Sequence, residues 1–302
     1  MTDLLATALT PITDERALLG EGPCYHPRLR RVFWLDIKGQ RLFSADENAG
    51  DVRAFDLPQM VSALAPARVN DFVCTHRRGF GLLSVTDKGV SLTPINHLEA
   101  DKPGNRFNDG KMHPDGSFWA GTMDDAETER SGVWWRLDPD GQTTHLLDGI
   151  RVTNGPAFSA RGNVGYFNDS ADQTVFTFDA SRGRIENKRC FKVFSDGEGY
   201  PDGILIDRED CLWAAFWDGR CIRRLGRDGS VYAEISVPAL RPTSLEIVGK
   251  RLFVTTAAIG LSSFGNDDHD GRTLTAELAV DLSPTHRPIF DDTEITSTIT
   301  TA

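Results

Sequence analysis

One phrase recurs six times along this chain, and it limits the possible folds more than any other feature: a polar residue, a glycine-bearing turn, an apolar strand, a second turn and an aromatic-rich strand. Clear copies are GEGPCYHPRLRRVFWLDI from Gly20, NDGKMHPDGSFWAGTM from Asn108, NGPAFSARGNVGYFND from Asn154 and PDGILIDREDCLWAAF from Pro201. Weaker copies are VSALAPARVNDFVCTH from Val61 and PTSLEIVGKRLFVTTA from Pro242. Their leading polar positions, Glu21, Ser62, Asn108, Asn154, Asp202 and Ser244, are spaced 41 to 48 residues apart. A period in the forties belongs to the blades of a β-propeller. Helical solenoids repeat differently.

The segments between copies, such as GVWWRLDPDGQTTHLL and CIRRLGRDGSVYAEISV, alternate or are β-branched and break at Asp-Gly turns, as strands and hairpins do. No window holds a 3.6-residue period beyond two turns. The expected fold is all-β, a single six-bladed β-propeller domain over residues 1–302. The early segment LTPITDERALL is expected to add an edge strand that closes the ring against the last blade.

In a propeller the innermost strand of each blade lines a central channel, so residues at the same phase meet although they are far apart in sequence. Glu21, Asn154 and Asp202 are thereby expected to converge, with Asn108 as a fourth. Taken singly, an Asn or Asp ahead of Gly is a turn former. Glu is not, and three such positions at one phase offer a set of oxygen ligands suited to a hard divalent cation. Without a cation, two carboxylates in a narrow channel would repel and lose solvation. The absence of His and Cys at these positions disfavours a zinc-type cage.

Composition narrows the function further. The formal charge is −11 and the pI near 5.1, against the clustered Lys and Arg that nucleic acid or anionic membrane requires. The first twenty residues carry neither a basic region followed by a long apolar core nor a membrane span, so a cytoplasmic location is expected. The five cysteines form no CxxC pair and are expected as free thiols. In the late loop, Asn266, Asp268, Asp270, Gly271 and Glu277 fall on EF-hand spacing. An EF-hand needs flanking helices, and RTLTAELAV reads as a strand, so an acidic hairpin loop is expected instead.

Taken together, LGEGPCYHP, RFNDGKMHPDGSFWAGTM, TNGPAFS and YPDGILIDREDCLW resemble the SMP-30/gluconolactonase family, which includes regucalcin-like sugar lactonases. The resemblance runs from about Leu19 to Leu261, in order and spacing. It implies a six-bladed propeller with one divalent cation in the channel, held by Glu21, Asn154 and Asp202, the residues that the repeat phase selects. It adds Arg106 and Asn108 as substrate-binding groups. The chain departs after GTM, where relatives often carry Glu and this sequence has Asp124 and Asp125.

The implied activity is metal-dependent hydrolysis of a sugar (aldono-) lactone, of the gluconolactonase or xylonolactonase type. A lactone is an activated ester, and the chain has no G-x-S-x-G elbow. The cation, one of Ca, Zn, Mn, Mg or Fe(II), would polarise the carbonyl, and Asp202 would serve as ligand, catalytic base or both. The expected partner is a small sugar lactone, with neither nucleic acid nor membrane, and the chain is expected as a monomer or weak homo-oligomer. The alternatives are a non-enzymatic calcium-binding regulatory protein and a phosphotriesterase-like propeller hydrolase.

Overall fold

The computed structural model describes residues 4–262 and 269–301. Six four-stranded antiparallel sheets follow one another around a ring. Blade 1 runs from Gly20–His26 to Arg53–Asp56, blade 2 from Val61–Pro66 to Gly89–Pro94, and blade 3 from Asn105–Met112 to Thr143–Ile150. Blade 4 runs from Thr153–Phe158 to Glu186–Val193 and blade 5 from Tyr200–Ile206 to Val231–Ser236. Blade 6 takes Pro242–Val248, Arg251–Thr256 and Leu274–Glu277, and its outermost strand is Thr10–Pro11 from the start of the chain. The ring therefore closes as LTPITDERALL suggested. Pairing the two ends of the chain in one sheet leaves no open seam.

The first strand of each blade touches the first strands of both neighbours, so these six line the central channel. The apolar cores lie between blades. Trp213, Ala215 and Ile222 of blade 5 pack on Leu245, Ile247 and Val254 of blade 6, and Trp119 and Trp134 of blade 3 pack on Phe167 and Phe178 of blade 4. The aromatic-rich second strand of the repeat is thus explained: its large side chains fill the wedge between adjacent sheets.

Each inner strand carries one extra residue relative to its partner, a β-bulge at the repeated polar position. The bulges refine the phase. Glu21 and Asn154 are the last paired residues before the bulge, whereas Ser62, Asn108 and Asp202 lie within it and Ser244 just beyond it. The repeated polar positions are therefore one or two register positions out of phase between blades.

An α-helix at Thr293–Thr301 has no counterpart in the strand-like periodicity of the sequence. Its TEITSTITT sequence is rich in β-branched residues with weak helix preference. Tertiary contacts hold it: Ile295 packs with Phe290 against blades 2 and 3, and the buried Asp292 carboxylate accepts the Val69 and Asn70 backbone N–H groups. Of the EF-hand-like positions, Asn266 and Asp268 lie outside the described residues. Leu274–Glu277 is the expected strand, and Asp270 accepts the backbone N–H groups of Leu240 and Arg241. Among the described residues no helix is long and apolar enough to cross a membrane.

Candidate functional site

One mouth of the channel opens into a cavity of about 470 Å³. Its walls bring together all five residues singled out in the sequence, Glu21, Arg106, Asn108, Asn154 and Asp202. They come from the inner strands of blades 1, 3, 4 and 5. The bulges place them there, because a pleated strand without the extra residue would alternate such side chains between the channel and the neighbouring blade.

A chain of hydrogen bonds crosses the floor. Arg106 Nε pairs with Asp125 Oδ1 at 2.5 Å, and Arg106 Nη1 donates to Asn108 Oδ1 at 2.6 Å. Asn108 Nδ2 donates to Asn154 Oδ1 at 2.9 Å and to the Thr153 carbonyl at 2.8 Å. Asn154 Nδ2 in turn donates to Ser170 Oγ at 2.8 Å, and that hydroxyl donates to the Pro201 carbonyl beside Asp202. The amide of Asn154 is therefore fixed in orientation, with its oxygen toward Asn108. A carbonyl oxygen has two lone pairs, and this one keeps a second for another partner.

The carboxylates are unlike those of a protein surface. Glu21 and Asp202 are only 6% and 5% exposed. Burial, followed by the charge of Asp109, pushes the Glu21 carboxyl up to about 8. Burial, then Glu21, Asp109 and Glu127, raises Asp202 well above the usual carboxylate range. Asp109 is itself raised by burial, although it accepts the Gly110 and Gly155 backbone N–H groups. Among the described residues no three His, Cys, Asp or Glu side chains form a ready metal cluster. The donors available are two buried carboxylates and an amide oxygen. They fit a hard divalent cation, whose charge would offset both acids and oppose the burial and mutual repulsion that raise them.

Above the ordinary imidazole value of 6.5, where His26 and His76 are neutral, Glu21 still holds a proton in the fold that it has lost in the unfolded chain. A carboxyl raised on folding stabilises at low pH and loses that contribution as pH climbs through its folded value. The chelated protein should therefore melt at falling temperature between pH 7 and about 8, and saturating divalent cation should flatten the slope and release protons. Thermal denaturation with and without chelator, together with proton release on cation addition, checks both.

Several groups in the cavity carry no signal in the repeat. Lys38, Asp125, Glu127, Arg151, Ser170, Tyr200 and Trp217 all line it. They lie off the repeated polar position, at strand ends and links, Tyr200 being the first residue of the inner strand of blade 5. Asp125 is held below its usual value: burial opposes its charge, but Lys38 at 2.6 Å and Arg106 outweigh burial. It anchors Arg106. Asp124 turns away from the cavity and accepts the Thr128 and Glu129 backbone N–H groups. Asp109 was legible in principle, since it directly follows Asn108 in NDG.

Residues 19–258 match the sequence profile of the SMP-30/Gluconolactonase/LRE-like region. An L-arabinolactonase from Azospirillum brasilense is 33% identical over 279 residues, covering 89% of this chain and 91% of that protein. A pentonolactonase from Haloferax volcanii is 30% identical over 295 residues, covering 93% and 97%. The crystal structure of a calcium-binding protein, regucalcin, from Agrobacterium tumefaciens superposes with a TM-score of 0.86 at 30% identity, covering 94% of this chain and 97% of that one. With its blades, its channel and most of its length matched, the chain belongs to the SMP-30/gluconolactonase/LRE-like family.

Proposed function

We propose that the protein is a carboxylic ester hydrolase that opens sugar lactones to sugar acids with the help of one divalent cation held by Glu21, Asn154 and Asp202. The observation that carries this reading is the meeting of these three residues with Arg106 and Asn108 in a single cavity, in a chain whose relatives include an L-arabinolactonase and a pentonolactonase.

The walls favour direct attack by water over an acyl-enzyme. Among the described residues they contain no His and no Cys, and Ser170 is engaged with Asn154 and Pro201. When bound, the cation supplies Lewis acidity at the ester carbonyl, a contribution of several kcal/mol. Asp202, a buried carboxylate of the proposed cation site, takes the proton of the attacking water. The water oxygen bonds to the carbonyl carbon, the ring C–O bond breaks, and Asp202 returns its proton to the departing ring oxygen, which becomes a hydroxyl of the open-chain acid. Arg106 keeps Nη2 free of protein partners among the described residues, so it can donate to a substrate hydroxyl while Asp125 holds its Nε. Tyr200 and Trp217 give the wall amphipathic aromatic surface suited to a ring with one apolar face.

Asn154 gives a sharp check. Asp at 154 would add a third carboxylate and remove the N–H that Ser170 accepts. Cation binding should tighten while turnover falls about tenfold or more, because added negative charge weakens the cation's pull on the carbonyl. Calorimetry and acid release on Asn154→Asp measure the two effects, and a simple turn former would leave both unchanged.

The activity is tested by acid release from the lactones of gluconic, xylonic and arabinonic acid, at a pH where spontaneous opening is slow. Turnover should disappear with chelator and return with added cation. The second reading, a non-enzymatic calcium-binding protein, draws support from the regucalcin structure. It predicts cation binding without turnover of any lactone.

A further inference from the structure

Arg151 occupies the link between blades 3 and 4 and lines the cavity close to Asn154 and Ser170. Its position is set by its backbone: Asp169 accepts the Arg151 N–H at 3.2 Å and the Val152 N–H at 3.2 Å. The same carboxylate pairs with Arg130 at 3.2 Å, so its charge is already engaged. Asp172 pairs with Arg130 as well. Across the cavity Asp125 is shared by Lys38 and Arg106. Glu21 and Asp202 belong to the proposed cation site, and Glu127, the remaining acid on the wall, forms no ion pair among the described residues. Arg151 is left with no acid within ion-pairing reach among the described residues, and its buried Nε has no hydrogen-bond partner.

The Arg151 Nε–H is buried without an acceptor in the half-exposed side chain, and such a group is completed in native proteins by an ordered water, an ion or a bound ligand. The planar fork of Arg suits a carboxylate, phosphate or sulfonate, which can accept two parallel N–H bonds. A neutral polyol offers hydroxyls but no matching charge. A cavity of about 470 Å³ lies within the usual range for small-molecule sites and leaves room for a substituent beyond the lactone ring.

We propose that Arg151 determines substrate specificity by binding an acidic group additional to the ester, so that the preferred substrates are sugar lactones carrying a second, anionic substituent. This rests on the lactonase reading of the same cavity. The role is one of recognition and orientation, apart from the bond-making step. A charge-assisted bidentate contact supports a preference of about ten- to a hundredfold over an isosteric neutral lactone.

The test compares kcat/KM for the lactones of gluconic, glucaric and phosphogluconic acid in the cation-loaded wild type, Arg151→Gln and Arg151→Lys. The wild type should prefer one of the acidic lactones by at least about tenfold. That ratio should collapse toward one in Arg151→Gln and recover in part in Arg151→Lys, however the absolute rates move. The arm that shows the preference distinguishes a carboxylate from a phosphate substituent. Equal use of neutral and acidic lactones, or a preference that survives Arg151→Gln, overturns the inference and leaves the lactonase reading standing. Calorimetric binding of glucarate against gluconate supplies a readout that needs no turnover. If no lactone is opened, the lactonase reading falls, and Arg151 still stands or falls on whether Arg151→Gln erases the difference between the two acids.

Discussion

Asp202→Asn is expected to lose at least about a thousandfold in lactone turnover and, in the same molecule, to make the cation-free fold more stable than wild type. The two effects have one cause. Asp202 is buried beside Glu21 and Asp109, and the cation-free fold must either protonate it or bear a repelled charge. The unfolded chain ionises it freely. Asn has nearly the same shape and can still accept the Gly203 N–H, but it carries neither cost. At pH 8 the denaturation midpoint in chelator should rise by the equivalent of at least about 1 kcal/mol. The stabilisation that added cation gives the wild type should vanish, because a neutral amide cannot replace a carboxylate ligand. A variant that is inactive yet less stable in chelator would mean that Asp202 serves the fold instead of the site.

Gly203→Ala is expected to be among the most damaging single changes away from the chemistry. A Cβ at 203 would lie 2.2 Å from Ser244 Oγ, 2.5 Å from its Cβ and 2.8 Å from its Cα. Rotating the serine side chain relieves only the first of these contacts. The inner strands of blades 5 and 6 would have to part, at a cost of about 3 kcal/mol. Since Gly203 shares the bulge with Asp202, the displacement would reach the cavity and lower turnover too. Adding Ser244→Gly should restore part of both losses, because Ser244 Oγ is buried without a hydrogen-bond partner and its removal breaks no bond. Equilibrium denaturation of the single and double variants decides. A single variant as stable as wild type would show that the inner strands can separate freely.

The architecture could be read from the chain because a propeller is written six times over: each blade repeats the same turn residues and the same aromatic second strand. Ring closure by LTPITDERALL was legible for a related reason, since a strand-like segment ahead of the first repeat has one open edge to fill. The helix at Thr293–Thr301 was hidden because its threonines favour strands, and only Ile295 and Asp292, docking against distant blades, make it helical. The site divides in the same way. Glu21, Asn108, Asn154 and Asp202 share a repeated position and could be gathered from sequence alone, although the bulges shift Asn108 and Asp202 by one residue relative to Glu21 and Asn154. Asp125, Glu127 and Arg151 lie off that repeated position, where each blade differs from the rest. Arg151 next to Val152 and Thr153 looks like an ordinary charged link until the ring brings it to the cavity wall.

The central claim is that the residues holding the cation are the ones that support lactone opening, and a stoichiometric titration tests it most directly. Chelated protein is titrated with a divalent cation while bound cation and acid release from a lactone are followed in the same samples. Both should rise together and level off at one cation per chain, and Asp202→Asn should show neither. Turnover that persists in chelator, or cation bound at one equivalent in Asp202→Asn, would contradict it.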